Sequence, residues 1–151
     1  MQSYGTRHVL VVADRTADPM TVIDAVRERA RETRVTASVL VPATLHGLEW
    51  VGDPRATIPA AERHAALLQT ALLNAGVARC EAGVGDPDPH AAIDDALRVE
   101  SFDEVLISVR SPRLATALHV GLAVRVAPEV RAQVNYLRSR RAHRLPALAG
   151  T

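Results

Sequence analysis

Lysine is missing from this chain. All 18 basic residues are arginine, set against 17 acidic ones, for a net charge of +1. A molecule so nearly neutral has no overall field to steer it onto nucleic acid or an anionic membrane. Aromatics are almost as scarce: one Trp, one Phe and two Tyr make up 3% of the sequence. That is poor equipment for stacking bases, and it leaves Ala, Val and Leu to build the core, a palette suited to helices packed on a sheet. Cys80 is the single cysteine, which excludes an internal disulfide and a cysteine-rich metal site. In a predicted strand it reads as a small buried hydrophobe. No apolar run reaches the ~20 residues that cross a bilayer. No basic region followed by an apolar stretch and a cleavage site opens the chain, so no signal peptide is expected and a reducing cytoplasm is the expected compartment.

Catalytic patterns are missing too. There is no Gly-x-Ser-x-Gly elbow and no His pair at metal-ligand spacing, and the six His are scattered. His90, just inside a predicted helix, is expected on the surface, and His119 has no positioned partner for acid–base work. Asp94 and Asp95 are neighbours in sequence only, because adjacent helical residues point about 100° apart. Asp14-Arg15-Thr16, after the first predicted strand, holds no glycine, which excludes a dinucleotide fingerprint.

What is present is a strict alternation of elements. At 151 residues the chain makes one ordinary domain, with residues 1–137 as its folded part. Residues 8–13 (HVLVVA) predict a buried strand closed by Asp14. Asp18 then caps a helix opened by Pro19, with Ile23, Val26 and Ala30 on its apolar face. Residues 35–41 (VTASVLV) predict a second strand, stopped by Pro42. Residues 60–75 predict an amphipathic helix through Leu68, Leu72 and Ala75, stopped by Gly76. Residues 77–82 predict a third strand. The stretch 83–108 (GVGDPDPHAAIDDALRVESFDEVLIS) reads as loop, helix, loop and strand. Its two Asp-Pro pairs each offer a cap, and its apolar run 105–107 suits a strand covered on both faces. A helix over 114–127 and a strand over 133–137 complete the series.

Two segments resist the pattern. Residues 43–59 hold Trp50 and exceed a normal connection, as a functional loop or as a cover for a sheet edge. Residues 138–151 carry four Arg without periodicity and are expected to be disordered, with an arm for nucleic acid or anionic lipid as the alternative.

Alternating strands and helices with short connections give a three-layer α/β/α fold around a parallel sheet. Right-handed crossovers bring the first and fourth strands together in a doubly wound five-stranded sheet of order 3-2-1-4-5. Ligands of such sheets bind at the carboxyl ends of the strands where the winding reverses, here between Asp14 and Ser108.

With these residues in place the sequence resembles the universal stress proteins over residues 7–137. The resemblance rests on the strand closed by Asp14, on Gly85-Asp86-Pro87 leading into a helix with Ile93, on FDEVLIS at 102–108 and on the element order. The ending of the second strand (LVPAT, 40–44) and Gly47-Leu-x-Trp50 resemble an actinobacterial subset. The resemblance implies a sheet of the adenine nucleotide alpha hydrolase-like type, a homodimer, and either ATP binding or its absence, since the family contains both groups. In ATP-binding members a phosphate signature follows the fourth strand: Gly, two residues, Gly, nine residues, Gly, then Ser or Thr. Here Ser108, Ser111 and Gly121 fall at the glycine positions and Leu122 at the hydroxyl position. The spacing is kept and the chemistry is partly lost. Where φ must be positive, Ser in place of Gly costs on the order of 1 kcal/mol. Ser108 and Ser111 offer hydroxyls in compensation, and Arg110 and Arg113 offer forked positive donors or are simply solvated.

The same resemblance places Asp14 at the adenosine end of a ligand, unless it caps the following turn, and Val41 against the base. The candidate nucleotide or anion site is therefore Asp14, Val41, Ser108, Arg110, Ser111 and Gly121, with ATP or AMP as its cofactor. The function expected is that of a non-enzymatic cytoplasmic regulatory dimer with a modified or degenerate nucleotide crevice. A true ATP/AMP-binding stress sensor and a slow ATPase are the alternatives.

Overall fold

The computed structural model describes residues 5–15, 17–43, 57–108 and 133–137. Strand β1 (Arg7–Ala13) is followed by α1 (Pro19–Glu32), β2 (Val35–Pro42), α2 (Thr57–Asn74), β3 (Arg79–Gly85), α3 (Pro89–Val99), β4 (Glu104–Ser108) and β5 (Gln133–Tyr136). All five strands form one parallel sheet in the order β3-β2-β1-β4-β5, as the alternation predicts. The predicted helix over 114–127, the predicted tail and most of the 43–59 loop lie outside the described residues.

β1 is the central strand, and its sequence explains why. Val9 to Ala13 are enclosed on both faces, each at 1% exposure or less, which only an uninterrupted apolar run tolerates. On one face α1 and α2 cover Val9, Val11, Val39 and Leu106 with Val22, Val26, Leu68 and Leu72. On the other, Ile93 of α3 packs with Leu10, Val12, Val105 and Ile107.

Helix boundaries follow the capping residues. Asp18 accepts from the Met20 amide at 3.2 Å, and Pro19 opens α1 behind it. Of the two Asp-Pro pairs before α3, Asp88 is the cap, accepting from the His90 amide at 3.0 Å. Asp86 instead accepts from the Asp88 amide at 2.9 Å, which tightens the turn. Gly76 ends α2 with φ at 106°, a left-handed value that favours glycine. Its amide reaches Leu73 O and the Val77 amide reaches Leu72 O, the paired bonds of a Schellman motif.

Four expectations change. α2 begins at Thr57 rather than at residue 60, because Pro59 is tolerated within a first helical turn. β3 is displaced toward its carboxyl end and takes in Gly83, Val84 and Gly85, which the sequence placed in a loop. Pairing with Leu40, Val41 and Pro42 holds these residues extended despite the glycines. His90 is half-buried rather than on the surface. Glu104, which precedes the predicted apolar run 105–107, is a strand residue at 2% exposure.

Arg29 of α1 explains the buried Glu104. It donates from Nε and Nη2 to the two carboxylate oxygens at 2.6 and 2.8 Å, a forked pair, while Asn135 of β5 adds a bond at 2.5 Å. Burial alone would push the Glu104 carboxyl up. The bonds from Arg29 and Asn135, with the charges of Arg29 and Arg7, outweigh it and hold the carboxyl below its ordinary value. Arg29 is held correspondingly higher, first by its bond to Glu104.

Candidate functional site

β1 and β4 end side by side, with Ala13 in register with Ser108. One residue beyond, the Asp14 amide donates to Ser108 O at 3.1 Å. The Asp14 carbonyl then accepts from the Ala17 amide at 2.9 Å, which turns the chain toward α1. The two residues named from sequence as flanking the winding reversal therefore meet there. Both are buried, at 1% and 4% exposure.

Ser108 sits in strand geometry, and among the described residues glycine alone adopts positive φ. The expected cost of Ser in place of Gly therefore does not arise at this position. Val41, on the next strand, is fully buried in the core that also holds Ala13. Arg110, Ser111, Gly121, Leu122 and Arg113 lie outside the described residues.

Gly85 shapes the other side of this end of the sheet. A β-carbon there would stand 2.7 Å from Leu40 Cδ1 and 2.8 Å from Ala92 Cβ. Glycine at this place lets α3 settle directly on β2 and β3. The Gly-Asp-Pro run is thus a close-packing device where strand hands over to helix.

His64, on α2, is the residue that sequence reasoning passed over. It flanks the buried stripe of Ala61, Ala65, Leu68 and Leu72, and its Nε2 is buried without a hydrogen-bond partner among the described residues. Burial lowers its pKa; the Asp14 charge opposes that shift and the Arg15 charge reinforces it. The ring is therefore neutral near pH 7 and lies within the electrostatic reach of the β1–α1 turn. Its one legible signal was its place beside a run of small buried residues on a single helix.

Cys80 is buried, and burial with the nearby Glu81 charge pushes its thiol up to about 11. It is a core residue, as expected. Among the described residues no group of three or more His, Cys, Asp or Glu is placed to hold a metal ion. None of their helices is long and apolar enough to cross a membrane.

No family model and no curated protein matches the sequence. Solved structures do match. A universal stress protein family protein from Burkholderia pseudomallei superposes with a TM-score of 0.57 at 18% identity, over 92% of this chain and 100% of that one. A universal stress protein from Archaeoglobus fulgidus gives 0.59 at 16% identity, over 87% and 93%. A universal stress protein family protein from Arabidopsis thaliana, solved with AMP bound, gives 0.55 at 16% identity, over 90% and 94%. Identities this low speak to architecture alone. The chain has the fold of the universal stress proteins.

Proposed function

We propose that the protein is a non-enzymatic, universal-stress-type regulatory domain acting as a cytoplasmic homodimer. Its crevice is adapted to the adenosine end of an adenine nucleotide more than to a triphosphate. The observation that carries this reading is the meeting of Asp14 and Ser108 at the winding reversal of the sheet. The AMP held by the Arabidopsis thaliana protein of the same fold supports it. The sequence supports the weakened phosphate end, because Leu122 stands where a hydroxyl is expected and Ser111 where a glycine is. The dimer would form through β5, which ends the sheet and would pair with its own copy.

Calorimetry on the full chain with AMP, ADP and ATP tests the site. AMP should bind with a Kd of about 10–100 µM and ATP no more tightly, a range of some 5.5–6.8 kcal/mol. Asp14→Asn, checked for folding by circular dichroism, should weaken AMP about tenfold by removing a charged acceptor. ATP bound much more tightly than AMP would favour a true ATP sensor. Silence toward all three at millimolar concentration would end the nucleotide reading. Phosphate release that co-purifies with the protein would end the non-enzymatic one.

A further inference from the structure

A groove of about 390 Å³ lies on the α3 face of the sheet, over β2 and β3. Neither Asp14 nor Ser108 lines it. Strand alternation leaves its floor short of side chains. Cys80, Ala82 and Val84 pack toward the α1–α2 core, so Gly83 and Gly85 fall on the α3 face. A β-carbon at Gly85 would meet Leu40 and Ala92, but one at Gly83, in register with Leu40, would meet nothing within 4 Å. This part of β3 is therefore bare backbone. α3 does not reach Gly83, because Ile93 and Leu97 turn to the core over β1 and β4. Its other stripe, Ala92, Asp95, Ala96 and Val99, forms the groove wall. Val99 is 88% exposed, the most exposed large hydrophobe among the described residues.

The charge along this wall is acidic. Asp86, Asp95 and Glu100 line the groove, and no arginine or histidine does. Asp95 and Glu100 are exposed and form no ion pair among the described residues. Past Ser38 and Phe102 the groove opens into a polar hollow of about 220 Å³. Arg79, at that end, is already on Glu81 at 2.7 Å, and the His8 ring is on the Thr36 hydroxyl at 2.5 Å.

We propose that this groove docks a helix of a partner protein, one whose apolar stripe is bordered by arginine or lysine. Lying beside α3 at an axial separation of about 8–10 Å, such a helix sits over the glycines, whose missing side chains let its backbone come close. The seven residues of β3 extend about 20 Å, which about 13 helical residues match. The apolar stripe covers Val99 and Leu40, and the basic residues face Asp95 and Glu100. Apolar contact supplies affinity, and the charges supply orientation and encounter rate. The groove is open to solvent along the sheet, which suits a protein segment better than a small ligand needing enclosure. The proposal does not depend on the nucleotide reading.

Fluorescence anisotropy on the full chain tests it. The probe is a labelled helical peptide of about 14 residues, with a leucine stripe between two rows of arginine. A twin peptide has glutamate for every arginine. The arginine peptide should bind with a Kd of about 10–100 µM. The twin should bind at least about tenfold more weakly, with the difference shrinking at ~1 M salt. Gly83 is not in the left-handed region, so Gly83→Phe fills the floor without straining the backbone. It should weaken the arginine peptide about tenfold without lowering Tm. Asp95→Asn/Glu100→Gln should remove most of the preference for arginine over glutamate. No binding at about 1 mM peptide, equal binding of the twins, or undiminished binding by Gly83→Phe overturns the proposal. Butyltrimethylammonium bound as tightly as the peptide overturns it in favour of a small organic cation. A dimer that Gly83→Phe converts to a monomer, by light scattering, overturns it in favour of a second copy of this chain.

Discussion

A few buried polar side chains carry information out of proportion to their number, and Glu104 is the clearest. Removing one partner of a buried pair leaves a desolvated charge, so Arg29→Met should cost about 3 kcal/mol by urea unfolding at pH 7. Adding Glu104→Leu to that variant should recover at least half of the loss, because the orphaned carboxylate is gone. The pH dependence follows from the same carboxyl. Its folded pKa lies below the ordinary 4.5, so its stabilisation is complete above that value and is lost as pH falls through the lower folded one. Glu104→Gln should flatten this part of the acid limb of the stability curve. Cys80 makes an opposite prediction about reactivity. A thiol raised from 9.0 to about 11 holds about a hundredfold less thiolate at pH 8. Labelling should therefore be slower than in denaturant by at least that factor.

At the scale of elements, most of the architecture was legible because it is written in punctuation. Asp18-Pro19, Asp88-Pro89, Gly76 and the apolar runs of β1 and β4 each name a boundary by local chemistry. What was not legible depended on partners distant in sequence. Gly83 and Gly85 look like loop residues until β2 lies beside them, and Glu104 looks like a break until Arg29 arrives from α1. His64 was invisible as a site residue because nothing near it in sequence marks the turn at Asp14. Of the candidate site, the adjacency of Asp14 and Ser108 was legible from the strand order. Gly85→Ala tests how tightly strand and helix are fitted. Leu40 can yield at the end of its side chain, but the Ala92 β-carbon is fixed to its helix. The substitution should cost about 1–3 kcal/mol by thermal unfolding.

For the molecule as a whole, ligand binding should register as stability. On the proposed function, AMP at a hundred times its Kd should add about 2.7 kcal/mol to the folded state, or roughly 5–10 °C in Tm for a chain of this size. Asp14→Asn should lose most of that rise at the same AMP concentration. Light scattering at micromolar concentration should report a dimer, and a monomer would remove that element of the proposed function.

The strand order also sets a timetable for the newborn chain. β1 acquires β2 early, but β4, its other neighbour, begins 97 residues downstream of its own start, at Glu104 against Arg7. At ~5–20 residues per second, the strand destined for the centre spends roughly 5–20 s as an apolar edge after leaving the ribosome. It is therefore during synthesis, rather than once folded, that this protein would have most need of a chaperone.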